Sequence, residues 1–393
     1  MFKDWVVIKD GLPPLPEDLM LARDKGEVLF VVGAGASYPA PSCLPNFKGL
    51  VADIYAELDP SMSPAIAAVC AGTTWDAVTD LLDDRQRTEL KFFAGSEYDV
   101  ALGMLERRID GDPGQASTLR IATDKVLKRT TTPNGLHTSL VRLGQRYGKT
   151  LLVTTNFDRL LGIAAKNAKY SDKSFALGEI PNPSRRTDFT GILHIHGKLS
   201  LGKDPASGLI LTDQDFGDFY LRRHSVTSFL YDAARIFHLV LVGYSANDSP
   251  VRYLLNAIAA DERHFVDLKP RYAFVDCQSA DQRTPVEWSA RGITPIPYDP
   301  AHGHVALGQV LEEWANILPE KRNSLHLKKR LAQIAATDFD AEAGKAAQSM
   351  LQYLVRRSTS IERNDVLLTL SKSGASPRWL SFVNHSILNA KGV

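Results

Sequence analysis

The chain has 393 residues, with 46 Lys and Arg against 45 Asp and Glu, for a formal net charge of +1. That length is ample for a large buried core and predicts one α/β domain with helical additions, while the balanced charge excludes a chain-wide electrostatic footprint for nucleic acid. Three scattered cysteines, Cys43, Cys70 and Cys277, exclude a four-cysteine zinc ribbon and offer no disulfide framework, which suits a reducing cytoplasm.

Near the N-terminus, Lys3 and Asp4 place charge inside what would be a signal-peptide core, and no apolar run approaches the roughly 20 residues that span a bilayer. A soluble, unprocessed, cytoplasmic chain with no membrane partner is expected. The first strand is Val28–Val32, which runs straight into Gly33-Ala34-Gly35-Ala36-Ser37. Glycine has no Cβ, so the backbone can turn sharply there and bring its N–H groups close to a phosphate, with a following helix N-terminus adding partial positive charge. Taken alone, a G-x-G turn serves equally as a plain connection from strand to helix. The dehydrogenase fingerprint is not met: Tyr38 stands at its third glycine position, and no acidic residue closes a second strand about 20 positions later.

Between Lys48 and Tyr147 the pattern is helical, as in Phe47–Leu58 and Tyr98–Ile109, with turn-rich pieces such as Asp110-Gly111-Asp112-Pro113-Gly114. A helical insertion at about 48–147 is therefore expected inside the first domain. Further strands are predicted at Thr150–Thr154, Gly191–Ile195, Leu239–Val242, Tyr272–Val275 and Ile293–Ile296, with a surface loop at Glu179–Thr190. Strands that alternate with helices imply a parallel sheet covered on both faces. From about Leu318 the strands cease and helices are predicted at Ser324–Ala336, Ala341–Arg356 and Asp365–Ser371. From Lys321 onward there are 12 Lys and Arg against 5 Asp and Glu. This basic region is either a solvated helical cap or a docking surface for a protein or nucleic acid. The expected division is 1–317 and 318–393.

Polar groups appear abruptly where several strands end, the edge at which an open α/β sheet binds its ligands. After Thr150–Thr154 come Thr155-Asn156-Phe157-Asp158; Asp158 could equally cap the next helix, but one cap suffices and Asn156 is then left for a site. In Ile192-Leu193-His194-Ile195-His196-Gly197 the two histidines share a strand face. A pair without further ligands is poor evidence for zinc, and His196, followed by a glycine at a strand end, is the functional candidate, with His194 structural. After Leu239–Val242, Gly243 and Ser245 could contact ribose or phosphate, and Asp248 can serve as an N-cap.

Taken together, G-A-G-A-S at 33–37, L-P-N-F at 44–47, T-T-N-F-D at 154–158, H-G at 196–197 and G-Y-S at 243–245 resemble the sirtuin-like family in order and spacing. The resemblance implies a Rossmann-like α/β fold with a parallel sheet and NAD+ as substrate. It places Gly33, Ala34, Gly35 and Ser37 at the cofactor phosphates, and Pro45, Asn46 and Phe47 in a flexible cofactor loop. Thr155, Gly243, Tyr244 and Ser245 complete the cofactor site, Asn156 and Asp158 line the nicotinamide-ribose pocket, and His196 is the catalytic histidine. The chain departs from the deacetylase branch: the zinc ribbon is missing, Asn46-Phe47-Lys48 replaces Asp-Phe-Arg, and Thr155 replaces glutamine. It is more similar to the bacterial NAD hydrolases of anti-phage defence, which implies cleavage of NAD+ without zinc. That branch also implies self-assembly or restraint by a partner such as an ATPase translocase or another nucleic-acid-sensing protein. The alternatives are a protein deacylase or ADP-ribosyltransferase, and a non-catalytic NAD or ADP-ribose sensor.

Overall fold

The computed structural model describes residues 5–73, 80–111, 117–129, 132–177, 180–181, 183, 189–199, 208–244, 268–277, 283–319 and 324–390. They form two units that interleave along the chain. One is built from Leu29–Val275 and Arg283–Pro295, the other from Met1–Val28, Asp276–Gln282 and Ile296–Val393.

In chain order the elements begin with β1 (Trp5–Val6), β2 (Leu15–Pro16), α1 (Glu17–Asp24) and β3 (Val28–Val32). Six helices follow: α2 (Phe47–Leu58), α3 (Ser63–Cys70), α4 (Asp84–Ala94), α5 (Tyr98–Asp110), α6 (Thr118–Leu127) and α7 (Gly135–Leu143). Then come β4 (Gln145–Arg146), β5 (Lys149–Thr154), α8 (Leu160–Asn167), β6 (Ser174–Phe175) and β7 (Gly191–His194). A short helix α9 (Asp213–Phe216) continues as a π-helical turn (Gly217–Arg222) into α10 (Ser225–Ile236), followed by β8 (His238–Val242), β9 (Arg271–Asp276), α11 (Arg283–Ser289) and β10 (Thr294–Tyr298). The remaining helices are α12 (Ala301–Asn316), α13 (Leu325–Ala336), α14 (Glu342–Arg357), α15 (Ser360–Lys372) and α16 (Pro377–Asn389).

The main sheet runs in the order β10-β9-β8-β3-β5-β7-β6. Its pairs β3–β5, β5–β7, β6–β7 and β8–β9 are parallel, with Phe30 opposite Leu152 and Leu152 opposite Ile192. Every residue of β3 is buried, because helices on both faces demand an unbroken apolar strand. The chain builds outward from β3 through β5, then returns to the other side of β3 as β8. The order therefore reverses between β3 and β8, and the crevice beyond their carboxyl ends is where such sheets take ligands. This is the Rossmann-like α/β arrangement that the alternation of strands and helices predicts.

One core packs Leu29, Val31, Leu151, Val153 and Leu193 of the sheet against Phe229 and Leu230 of α10. A second fills the helical insertion with Leu50, Ile54, Leu102, Leu105 and Leu119, and reaches Phe157 and Leu160 after β5. Two expectations are corrected here. The insertion ends in a short strand, since Gln145 and Arg146 pair antiparallel with Thr150 and Lys149. The glycine turn leads into a single 3-10 turn, Ala34–Ser37, and no α-helix starts until Phe47. Pro39 and Pro41 contribute to this, since each lacks the N–H that a continuing helix would need.

The other unit joins the N-terminal strands to the last helices. Val7 N–H donates to Ser349 Oγ at 3.2 Å, Arg330 Nη2 to the Ile8 carbonyl at 2.8 Å, and Tyr353 Oη to Asp24 at 2.7 Å. The predicted strands omit the pair Trp5–Val6 and Leu15–Pro16, which are too short to show a period. Helix α15 begins ahead of its predicted start because Thr359 and Glu362 form a capping box, and α16 opens with Pro377 in its first turn. Among the described residues no helix is long and apolar enough to cross a membrane.

Candidate functional site

A small cavity of about 50 Å³ lies at the carboxyl ends of β3 and β5, within the unit that carries the parallel strands. Of the residues singled out in the sequence, Ala34, Ser37, Pro45, Asn46, Phe47, Thr155, Asn156, Asp158, His196 and Tyr244 line it. Gly33, Gly35 and Gly243 stand behind the wall, and Ser245 and Asp248 lie outside the described residues.

The glycines explain the turn. A Cβ on Gly33 would sit 2.6 Å from the Gly243 carbonyl oxygen, and one on Gly243, whose φ is +76°, would sit 2.5 Å from the Ala36 nitrogen. Only glycine allows the two loops to cross this closely. The crossing also spends two amides: Gly33 N–H donates to the Val242 carbonyl at 2.8 Å and Gly35 N–H to the Gly243 carbonyl at 2.9 Å. The two glycines thus lock β3 to the end of β8, and Ala34 and Ser37 are the turn residues that face the cavity.

Ser37 is the hub of the polar wall. Its Oγ–H donates to Asp158 Oδ2 at 2.9 Å, and its Oγ accepts from Asn156 Nδ2 at 3.3 Å. A second group reaches the same oxygen, His137 Nε2 at 3.1 Å. The tautomer follows from the helix start: Asn134 caps α7, and its N–H donates to His137 Nδ1 at 3.2 Å. Nδ1 is therefore the acceptor, and Nε2–H donates to Ser37. His137 is wholly buried, and burial lowers its pKa to about 4, so the ring is neutral in this relay at ordinary pH.

Asn156 is held on three sides. Its N–H donates to Thr154 Oγ1 at 3.0 Å, its Nδ2 donates to the Gly33 carbonyl at 3.1 Å, and its carbonyl accepts from His194 Nδ1 at 2.9 Å. His194 therefore acts on the site through the Asn156 backbone, and burial keeps it neutral with a pKa of about 4. Asp158 does both jobs open to it. Oδ1 accepts from Leu160 N–H at 2.9 Å at the start of α8 while Oδ2 takes Ser37. Burial raises its pKa, opposed by hydrogen bonds from Leu160, Ser37 and Asn156.

His196 is 1% exposed. Its Nε2 lies 2.6 Å from Tyr220 Oη, and its ring meets Phe216 edge-on with centroids 5.5 Å apart. Burial drives its pKa down to about 3, so the imidazole is neutral and works as a hydrogen-bonding group. Tyr220 belongs to the π-helical turn at 217–222, a local widening of the helix that is frequent at functional sites. On the opposite wall Tyr244 Oη shares a hydrogen bond with Thr155 Oγ1 at 3.0 Å. Asn46 caps α2 by accepting from Gly49 N–H at 2.9 Å, and Phe47 packs edge-on against Tyr98.

Residues 150–296 match the SIR2-like domain. The matched segment begins in β5 and carries Asn156, Asp158, His196 and Tyr244, so the polar wall after β5 and the glycine-containing loop after β8 both fall within it. The chain is also 33% identical over 319 residues to the protein y4cA of Sinorhizobium fredii, described as uncharacterized; the alignment covers 78% of this chain and 24% of that protein. The chain thus spans about a quarter of the length of the curated relative it matches.

Two residues of the site, His137 and Tyr220, went unseen in the sequence. His137 could have been found from Asn134-Gly135-Leu136-His137, an N-cap followed three residues later by a side chain able to answer it. Tyr220 carries no local signal. Among the described residues no group of three or more His, Cys, Asp or Glu is placed to hold a metal ion.

Proposed function

We propose that the chain hydrolyses NAD+ at the nicotinamide-ribose bond, releasing nicotinamide and ADP-ribose. The observation that carries this reading is the convergence of Asn156, Asp158 and a neutral His196 on one cavity walled by Phe47 and Tyr244. Lys and Arg are absent from the described lining residues, and Asp158 is the lining carboxyl. A carboxylate among aromatic rings suits a pyridinium cation. The same carboxylate stabilises the oxocarbenium-like centre that forms as the leaving group departs. Asn156, braced through its backbone and amide, positions the ribose and the attacking water. His196, held neutral by burial, hydrogen-bonds the ribose hydroxyls.

Dinucleotide pockets are much larger than about 50 Å³; small-molecule sites run to roughly 300–1,000 Å³. Substrate binding therefore requires Tyr244 and the chain at 38–46 to move outward, while the glycine crossing beneath them stays fixed. NAD+ depletion would harm the cell that carries it, and the reading extends to an effector of bacterial anti-phage defence, held in check by self-assembly or by a partner such as an ATPase translocase.

The test is nicotinamide release from NAD+ by the purified chain, alone and with candidate partners. Release that disappears in Asn156→Ala and His196→Ala, with melting temperatures retained, supports the proposal. Release unchanged in both variants refutes the assignment of residues. Release only in the presence of an acylated peptide refutes hydrolysis in favour of deacylation, and tight NAD+ binding without release under any condition refutes it in favour of a sensor.

A further inference from the structure

The unit that holds both chain ends contains a cavity of about 640 Å³ that the SIR2-like segment does not explain. Lys25 lies just beyond α1, Arg356 and Arg357 end α14, Arg363 lies in the first turns of α15, and Phe382 and Asn389 come from α16; all line it. Asp24 is the acidic residue on the wall, and its Oδ2 accepts from Tyr353 Oη at 2.7 Å while standing 3.9 Å from Arg357 Nη1. Charge on this wall is strongly positive.

Arg357 decides what the cavity suits. Its side chain is 5% exposed, its guanidinium lies over the Tyr353 ring at 5.1 Å, and Nη1 donates to the Ile317 carbonyl and to Tyr353 Oη. Arg363 gives Nε to the Val355 carbonyl at 2.9 Å and Arg356 gives Nη1 to Glu17, which leaves further donors on both. Capping the carboxyl end of α14 explains only the Arg363 Nε bond. Planar pairs of N–H groups fit phosphate oxygens.

We propose that this cavity binds a nucleotide through its di- or triphosphate, with three guanidinium groups on the phosphates and Phe382 and Asn389 on the base. The volume lies within the range of small-molecule sites, and enclosure by α1, α14, α15 and α16 favours a compact anion over an extended strand. The proposal is independent of what the SIR2-like segment does.

Titration calorimetry of the full chain with ATP tests it, with inorganic triphosphate as a competing probe. The expected result is saturable ATP binding that triphosphate displaces. Affinity should fall about tenfold in Arg356→Gln and in Arg363→Gln, recover in part in Arg363→Lys and stay unchanged in Asn156→Ala, all with wild-type melting temperatures. The proposal is overturned if ATP does not bind at millimolar concentration, if the two Gln variants bind it as wild type does, or if only Asn156→Ala loses it. It is also overturned, in favour of nucleic acid, if a single-stranded oligonucleotide binds through these arginines while ATP does not.

Discussion

Replacing Ser37 by alanine removes one hydroxyl from a buried network and should do so with a pH-dependent penalty. Ser37 is 1% exposed, its Oγ–H serves Asp158 at 2.9 Å, and its Oγ accepts from His137 and Asn156. A hydrogen bond to a charged group contributes about 1.5–3 kcal/mol and a neutral one about 1 kcal/mol. Asp158 has a pKa raised above its ordinary 3.8 by burial. The native carboxyl holds its proton more tightly than the unfolded one, so its stabilising contribution is complete below 3.8 and is lost as pH rises through the raised value. The Ser37 bond works against that shift, and the variant raises the pKa further. Above the raised pKa the variant should therefore be less stable than wild type by about 2–3 kcal/mol, counting the unpaired His137 Nε2–H. The deficit should shrink to about 1 kcal/mol once pH falls below that raised value and Asp158 is neutral in both proteins. Urea unfolding curves at a series of pH values measure this directly. A deficit that does not grow with rising pH anywhere above 3.8, or that stays below about 0.5 kcal/mol throughout, would show that Ser37 and Asp158 are not coupled as described.

Tyr220→Phe removes the hydroxyl 2.6 Å from His196 Nε2 and should lower nicotinamide release about tenfold with little change in melting temperature; a change in melting temperature alone would mean the contact only packs. His137, His194 and His196 have folded-state pKa values lowered to about 4, 4 and 3 from 6.5. The contribution of each to stability is present above 6.5 and lost as pH falls toward its lowered value, by about 3 kcal/mol per histidine for a descent from 6.5 to 4. The urea midpoint should fall between pH 6.5 and 4, and His137→Asn should flatten that fall, as unfolding curves over this range will show. Gly243→Ala places a Cβ 2.5 Å from the Ala36 nitrogen at a positive φ and should cost at least about 2 kcal/mol by thermal or urea melting; a variant that melts like wild type contradicts the crossing.

How much of the fold the sequence declares depends on where each residue's partner lies. Val28–Val32 and Thr150–Thr154 are buried on both faces as central parallel strands, and their runs of Val, Leu, Phe and Thr make that pattern local. The glycine turn is just as visible, yet its geometry depends on Gly243 and Val242, which no local pattern connects to it. What the structure adds at Gly33 and Gly35 is a fastening of β3 to the end of β8. Asp158 suggests either a cap or a site; one oxygen accepts from Leu160 N–H at the start of α8 and the other from Ser37 on the cavity wall. His137 and Tyr220 meet Ser37 and His196 only after the insertion and the π-helical turn have folded against the sheet edge.

The crossing of Gly33, Gly35 and Gly243 divides labour in the site. The loop ends of β3 and β8 are fastened to each other by two backbone hydrogen bonds and by contacts that leave no space for a methyl group. That floor cannot breathe without breaking the sheet. The roof, at Tyr244 and along 38–46, is therefore the part that evolution or engineering can retune, and if the proposed hydrolysis holds, changes there would alter which pyridine leaving groups are admitted. A library that varies only the roof should yield altered substrate preference at wild-type stability, whereas variation at the three glycines should yield proteins that fail before any preference can be read.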